Sequence, residues 1–473
     1  MIRLANARLT RIVCEVDEDA LLAQDTLAEM IKEGMDIALL QARGQNYPTL
    51  ENLKRRIDDA AAHVPTIIGT ILTIPGPVRQ VYSIPVSPLQ IHSGQTLSLV
   101  LEVGEEEDSY AVLSSLQGLE CGQTVVFGPN QLTAVVTQVE SGRVKLQTTT
   151  DGQVQLQSRV YVDGSSAFDT NFTEKQLSDI DFGLSLQFNF LSVCFSEHFA
   201  EELKMLRERV GKRKTKLLAR VERMLDREEL TALVDMCDGI ILERSALEVQ
   251  MQIEKLCTYK KLVVQTCALY GKPILVSGHV LGSLQSLPYP LRADACDVYN
   301  GVMDGSDGFV LSGLVLTPDL WKNSLLMMKN IVASAEKNLK GVTPPSWTGS
   351  ETPSILEALA SSAVKTSLDL RSRYLITVLH KNQAARLLAK YKPKVPILVL
   401  GNDLRVLEQS LIYRGTVPML ADVSEHRRLL AAKTMELKTA GLVQETQSMV
   451  VLSEKNSRSV ASFQAILSVI AVE

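Results

Sequence analysis

Short apolar segments alternate with helix-length amphipathic ones along most of this chain, and that alternation limits its fold more than any other feature. "RIVCEV" (11–16) is followed by "DALLAQDTLAEMIKEG" (19–34), then "MDIALLQA" (35–42), "TLENLKRRIDDAAAH" (49–63) and "TIIGTIL" (66–72). Apolar residues recur at helical spacing in the second and fourth, and the others are too short for anything but buried strands. A strand, a helix and a strand in this order imply parallel pairing through right-handed crossovers. The pattern resumes at "FTEKQLSDIDFGLS" (172–185) and continues through "FLSVCF", "FAEELKMLRERV", "KLLARVE", "REELTALVDM" and "DGIILE" (238–243). A long helix over roughly 249–270, then "KPILVSG", "ADACDVYNGVMDG" and "GFVLSG" (308–313), bring the count to about eight strand–helix units. The predicted fold class is α/β, a (β/α)8 TIM barrel.

Between about 79 and 165 the texture changes. "QTLSLVLEV", "QTVVFGP", "QLTAVVTQV" and "RVKLQTTT" are short, rich in β-branched residues and separated by turn residues, which predicts an inserted antiparallel β-domain. "GVTPPSWTGSETPS" (341–354) has the composition of a linker. Beyond it, helices at "ILEALASSAVKTSLDL" and "NQAARLLAKY" and strands at "YLITVL", "VPILVLG", "TVPML" and "SMVVLS" predict a smaller α/β domain. The expected division is barrel 1–78, inserted domain 79–165, barrel 166–340, linker 341–354 and C-terminal domain 355–473.

A net charge of −5 argues against a general nucleic-acid binder. The one basic cluster, "GKRKTK" (211–216), reads as a solvated loop or as a contact for an anion or acidic partner. Seven cysteines are scattered without a CxxC pair, mostly inside apolar runs, and read as small buried hydrophobes of a reducing compartment. The N-terminus has no signal-peptide core and no apolar run is long enough to span a bilayer. The expectation is a cytoplasmic protein, with neither nucleic acid nor membrane as partner.

Several strings together resemble the pyruvate kinase family over nearly the whole chain: "MIKEGMDIAL" (30–39), "GPVR" (76–79), "FTEKQLSDIDFGL" (172–184), "GKPILVSG", "LRADACDVYNGVMDGSDGFVLSG" (291–313), "KYKPKVPILVL" and "YRGTVP". The resemblance implies phosphoryl transfer from phosphoenolpyruvate to ADP. That chemistry needs a divalent metal on two carboxylates, a monovalent cation and positive charge on the transferring oxygens.

Carried onto this chain, the family's parts are largely replaced. A phosphate-gripping arginine is Leu39, the monovalent-cation asparagine is Gln41, and a following serine is Arg43. An aspartate ahead of the Gly-Pro turn is Thr73 and the lysine before the glycine is Pro75. The catalytic lysine is Arg220, and the first metal glutamate survives as Glu222. In "LERSALE" the arginine survives as Arg244, the glycine that approaches substrate is Ser245, and the second metal carboxylate is Ala246. The threonine that assists proton transfer is Gly278, and a later "SGET" reads "SGLV" (312–315). In the inserted domain a paired aspartate that closes over nucleotide is replaced by Gly128 and Pro129.

Glu222 alone is a poor anchor for a metal that takes one or two carboxylates alongside waters. Arginine stays protonated and does not substitute for a tunable lysine, and losing one transition-state stabiliser costs on the order of a hundredfold or more in rate. The sequence is therefore read as a catalytically inactive pyruvate kinase homologue, with no cofactor expected. Glu243 and Glu248 bracket the vacated metal position and read as surface or loop contacts. Arg43, Arg220 and Arg244 either converge as an anion pocket or are satisfied internally by Glu222 and Glu243. His279 is either a new base or a space-filler, and Cys194 and Cys237 read as core. His380, Lys381 and Asn382, in the segment that matches the family's sugar-phosphate loop, either bind an anion or form a solvated loop end.

Three functions stay open at this point. One is a structural or scaffolding subunit, in a homo-oligomer, with an active pyruvate kinase, or in a larger cytoskeletal or ciliary-type assembly. Another is a residual pyruvate kinase using Mg and K ions, and the third is a non-catalytic small-anion sensor.

Overall fold

The computed structural model describes residues 8–17, 24–42, 47–64, 66–74, 79–86, 88–101, 110–113, 116, 118–128, 132–155, 158–162, 172–339, 354–378, 383–423, 426–455 and 464–472. Each apolar segment of the barrel pattern is a strand. β1 (Arg11–Glu15), β2 (Ile37–Gln41) and β3 (Gly69–Ile74) precede the insertion, whose strands run from β4 (Arg79–Ser83) to β12 (Arg159–Val162). β13 (Phe190–Cys194), β14 (Lys216–Val221), β15 (Gly239–Glu243), β16 (Ile274–Ser277) and β17 (Gly308–Leu311) follow it. The eight close into one parallel barrel, sealed where β1 pairs with both β2 and β17.

The intervening helices are α1 (Gln24–Glu33), α2 (Tyr47–His63), α3 (Glu174–Ser185), α4 (Phe199–Val210), α5 (Arg227–Met236), α6 (Arg244–Gln250), α7 (Ile253–Tyr270), α8 (Arg292–Asp304) and α9 (Trp321–Lys337). Capping fixes where some of them start. Thr173 and Gln176 form a capping box on α3, and Asp226 and Glu229 form one on α5. The long helix expected over roughly 249–270 is α7, which starts at Ile253, and a separate short helix, α6, precedes it. α6 begins directly on the last residue of β15, so the strand does not run out into a loop as its sequence suggests. The chain then breaks at Met251–Gln252, where both residues are extended.

Seven strands of the insertion form a second, smaller closed barrel, and two more pair beside it. The segment departs from the antiparallel domain expected in one pairing: Thr96–Val100 and Tyr110–Leu113 run parallel. Residues 101–109 separate them, where a tight turn would have forced an antiparallel pair. Beyond the linker come α10 (Ile355–Asp369), β18 (Tyr374–Val378), α11 (Gln383–Lys390), β19 (Ile397–Gly401), α12 (Leu404–Ser410), β20 (Thr416–Leu420), α13 (His426–Thr439), β21 (Ser448–Lys455) and β22 (Gln464–Ala471). Their sheet has the order β20-β19-β18-β21-β22, with β22 alone antiparallel, at an edge.

The barrel has two apolar layers. Alternate strand residues such as Ile12, Leu40, Leu72, Leu191 and Phe309 pack outward against the helices. The residues between them form an inner cluster that continues into the C-terminal domain. That domain sits under the end of the barrel where the strands begin. Arg405 donates to the carbonyls of Gln187 and Phe188, both at 2.8 Å. Arg11 reaches Tyr413 O at 3.0 Å, and buried Lys392 meets Asp307 at 2.5 Å. The "GKRKTK" turn joins this seam: Lys214 pairs with Asp403, and Lys216 lies 3.6 Å from Asp238, while Lys212 and Arg213 face solvent.

Not every cysteine is buried. Cys14, Cys194, Cys237 and Cys267 are core, but Cys121, Cys257 and Cys296 are exposed, the last two on the solvent faces of α7 and α8. Among the described residues no helix is long and apolar enough to cross a membrane.

Candidate functional site

Every barrel strand makes the same change within two residues of its end. The inner cluster holds Val13, Leu39, Ile71, Phe190, Leu218, Ile241, Leu275 and Val310, one from each strand. Two residues further along, on the same side by the period-2 rule, stand Glu15, Gln41, Thr73, Ser192, Arg220, Glu243, Ser277 and Ser312. An apolar plug thus gives way to a polar ring at the end where barrel enzymes place their chemistry.

The charged part of the ring is bonded to itself, while the buried hydroxyls of Thr73 and Ser192 have no partner among the described residues. Gln41 donates to Glu15, whose other oxygen accepts the Gly313 N–H at 3.3 Å. Arg220 is held on two sides: its Nε lies 2.5 Å from Glu222 Oε1, and its Nη2 donates to Glu243 Oε2 at 2.7 Å. Ser277 Oγ donates to the same Glu243 oxygen at 2.8 Å, and Ser245 Oγ to the other at 2.5 Å. Arg220, Glu222 and Glu243 are 8%, 4% and 5% exposed, so this triad is sealed from bulk water. Beside it, between Cys194 and Leu233, lies a cavity of about 10 Å³, room for a water at most.

Arg244 faces away from this triad. It donates to Asp297 at 2.5 Å and to the carbonyls of Ser277 and Gly278 at 3.2 and 2.7 Å, tying α6 to the end of β16. Lys260, 3.7 Å from Asp297, completes that outer cluster. Glu243 is therefore not the surface or loop residue that its sequence context suggests. As the last residue of β15 it points inward, and burial there requires the guanidinium and both hydroxyls.

At Gly278 the backbone has φ of +84°, and a Cβ would stand 2.5 Å from Ser245 N and 2.8 Å from Glu243 Oε1. The start of α6 has come up against this residue, and no side chain fits between them. His279 and Leu281, just beyond, also adopt positive φ, of 52° and 53°. His279 is half exposed, 3.7 Å from Glu248. It borders the mouth and fills no buried space, and Glu248 turns toward it.

Leu39 and Thr73 are 2% exposed and Ala246 is fully buried. Gly128 is buried in the inserted domain. Cys194 and Cys237 are core, and burial pushes the Cys237 thiol up to about 11. Arg43, Pro75, Pro129, His380, Lys381 and Asn382 lie outside the described residues. Sequence reasoning missed the hydroxyls of Ser245 and Ser277 and the role of Asp297; the signal available for Ser277 was its place in the polar ring.

Comparison with known proteins decides the ancestry of this arrangement. The family model for the pyruvate kinase barrel domain matches residues 7–317, and that for the pyruvate kinase alpha/beta domain matches 357–464. The chain belongs to the pyruvate kinase family. It is 25% identical to a pyruvate kinase of Dictyostelium discoideum over 429 residues, covering 87% of this chain and 84% of that one. It is 28% identical to the cytosolic pyruvate kinase 2 of Oryza sativa subsp. indica over 447 residues, 84% of this chain and 82% of that one. The Cryptosporidium parvum pyruvate kinase solved in complex with ADP superposes with a TM-score of 0.87 at 20% identity, over 98% of this chain and 96% of the other. The pyruvate kinase fold is thus present from end to end.

Proposed function

We propose that this pyruvate kinase homologue no longer carries out phosphoryl transfer at its barrel mouth and acts as a non-catalytic protein subunit. The observation that carries this is the position of Arg220. Its guanidinium sits on both buried carboxylates, Glu222 and Glu243, and the position of the second metal carboxylate holds the uncharged, buried Ala246.

The donor set does not fit a divalent ion. Glu243 has both oxygens engaged, by Arg220, Ser245 and Ser277. An ion brought to Glu222 would stand beside a permanently protonated guanidinium. At about 4 Å and an effective dielectric of about 20, a divalent and a monovalent cation repel by roughly 8 kcal/mol, which subtracts directly from the hold that Glu222 alone could give. Gly278, whose position the family resemblance assigns to proton transfer, has no room for a side chain. With the charged groups of the mouth paired to one another, what selection can act on is the surface. We place the chain as a structural partner, in a homo-oligomer, beside an active pyruvate kinase, or in a larger assembly.

The comparisons favour a second reading, residual pyruvate kinase activity. The relatives are themselves named pyruvate kinases, and one solved relative holds ADP. Glu222 and Arg244 stand where the family has the same residues, and Arg220 supplies positive charge at the lysine position. This reading requires Arg220 to leave both of its carboxylates during turnover. A third, an anion sensor using Arg220 and Arg244, requires both to leave their carboxylate partners.

The separating experiment measures ATP formation from phosphoenolpyruvate and ADP with Mg and K ions. Purified protein is expected to give no rate above a blank, and Ala246→Asp alone is expected to restore none. Turnover that disappears in Glu222→Gln establishes the second reading. A melting-temperature rise with phosphoenolpyruvate alone, without turnover, establishes the third.

A further inference from the structure

A cleft of about 690 Å³ separates the last turns of α9 from the C-terminal domain, at the end of the barrel away from the mouth. That size is ordinary for a small-molecule site, and domain boundaries are where such sites concentrate. Six basic side chains line it, against one carboxylate, in a chain whose net charge is −5.

Two of the six are already engaged. Arg8 bonds to Asp36 and to Gly34 O, and Lys329 pairs with Glu33 at 2.9 Å. The lone carboxylate, Glu336, is occupied by the N–H groups of Leu9 and Thr10. Four remain without an ion pair among the described residues: Lys337 on one wall, and Arg371, Arg373 and Lys394 on the other. Arg373 donates its Nε to Leu442 O at 3.3 Å and lays its guanidinium over the Tyr374 ring, 5.5 Å from the centroid, leaving its two terminal nitrogens for a ligand. Arg371 is held at φ of +49°, a backbone region that side-chain-bearing residues rarely adopt. Tyr374, also in the wall, is fully buried with a hydroxyl that has no hydrogen-bond partner.

We propose that this cleft binds a small molecule carrying two or more phosphoryl groups. Two forked guanidiniums match phosphate oxygens bidentately, and two lysines add point charge from opposite walls. A single phosphate would leave one wall unpaired. The site lies at the start of β18, opposite the segment Leu379–Ala385 that follows its other end. A ligand here would bridge α9 to the starts of β18 and β19. The proposal is independent of what the mouth does.

The test titrates the full chain with pyrophosphate by calorimetry and thermal shift, against sulfate at matched ionic strength. Pyrophosphate is expected to bind and raise the melting temperature more than sulfate does. In the exposed-residue variant Arg371→Ser/Lys394→Ser its affinity is expected to fall by at least about tenfold, with the ligand-free melting temperature unchanged. Lys337→Ser is expected to weaken binding less, and Lys381→Ser, in the segment after β18, not at all. The proposal is overturned if pyrophosphate does not bind, if sulfate matches it, if the double variant binds normally, or if Lys381→Ser abolishes binding. Binding of an acidic peptide in place of pyrophosphate overturns it equally.

Discussion

The two ends of the barrel treat positive charge in opposite ways. At the mouth, Arg220 and Arg244 are buried, the first held by two carboxylates of the same chain and the second by one. At the other end, Lys337, Arg371 and Lys394 are exposed and without an ion pair among the described residues. A buried guanidinium that left its carboxylates would strand charge in a low-dielectric site, so the mouth is locked by electrostatics. The exposed charges are solvated and available at little cost. The pair teaches that cationic residues at a family's active-site positions do not by themselves make a binding site; their partners decide.

The largest expected effect breaks the lock. Arg220→Met leaves Glu222 and Glu243 buried without a counter-charge and is expected to cost about 3–5 kcal/mol of stability, measured by urea denaturation. Replacing all three members of the triad by apolar residues of similar volume is expected to recover most of that loss. If Arg220→Met proves neutral, the triad is not what holds the mouth closed.

Gly278→Thr comes next. The new Cβ meets Ser245 N at 2.5 Å in a left-handed backbone, so strain and overpacking together are expected to cost about 2–4 kcal/mol. A smaller effect lies at the seam. Burial holds the Glu408 carboxyl above its usual range, opposed mainly by the Asn189 hydrogen bond. A raised folded-state value means the folded form binds its proton more tightly. Stability is then lost as pH rises from the ordinary glutamate value through the raised one. Glu408→Gln is expected to flatten that part of the pH–stability curve. Smallest of all, Arg371→Ser/Lys394→Ser is expected to change stability by less than about 0.5 kcal/mol, which would confirm that the two ends differ as described.

Much of this architecture was legible in the sequence, because period-2 and period-3.6 patterns report burial directly. All eight barrel strands fall where "RIVCEV" through "GFVLSG" place them, and the replacements at Leu39, Ala246 and Gly278 are visible as letters. Three kinds of feature were not. Glu243 looked like a strand end entering a loop, since nothing local distinguishes a carboxylate facing solvent from one facing an arginine 23 residues away. α9, α12, α13, β22 and about half of the insertion's strands escaped notice: α12 is a single short helix, several insertion strands are only three to five residues long, and β22 is an edge strand with Ile466 and Val469 exposed. The basic cleft gathers residues from Arg8 to Gln447, and no window along the chain contains it.

The central claim, that Arg220 holds the carboxylates a divalent ion would need, is tested most directly by electron paramagnetic resonance of added Mn²⁺. The wild-type protein is expected to leave the free-ion signal undiminished at protein concentrations where Arg220→Lys/Ala246→Asp reduces it. Stoichiometric Mn²⁺ uptake by the wild type, abolished in Glu222→Gln, would contradict the account.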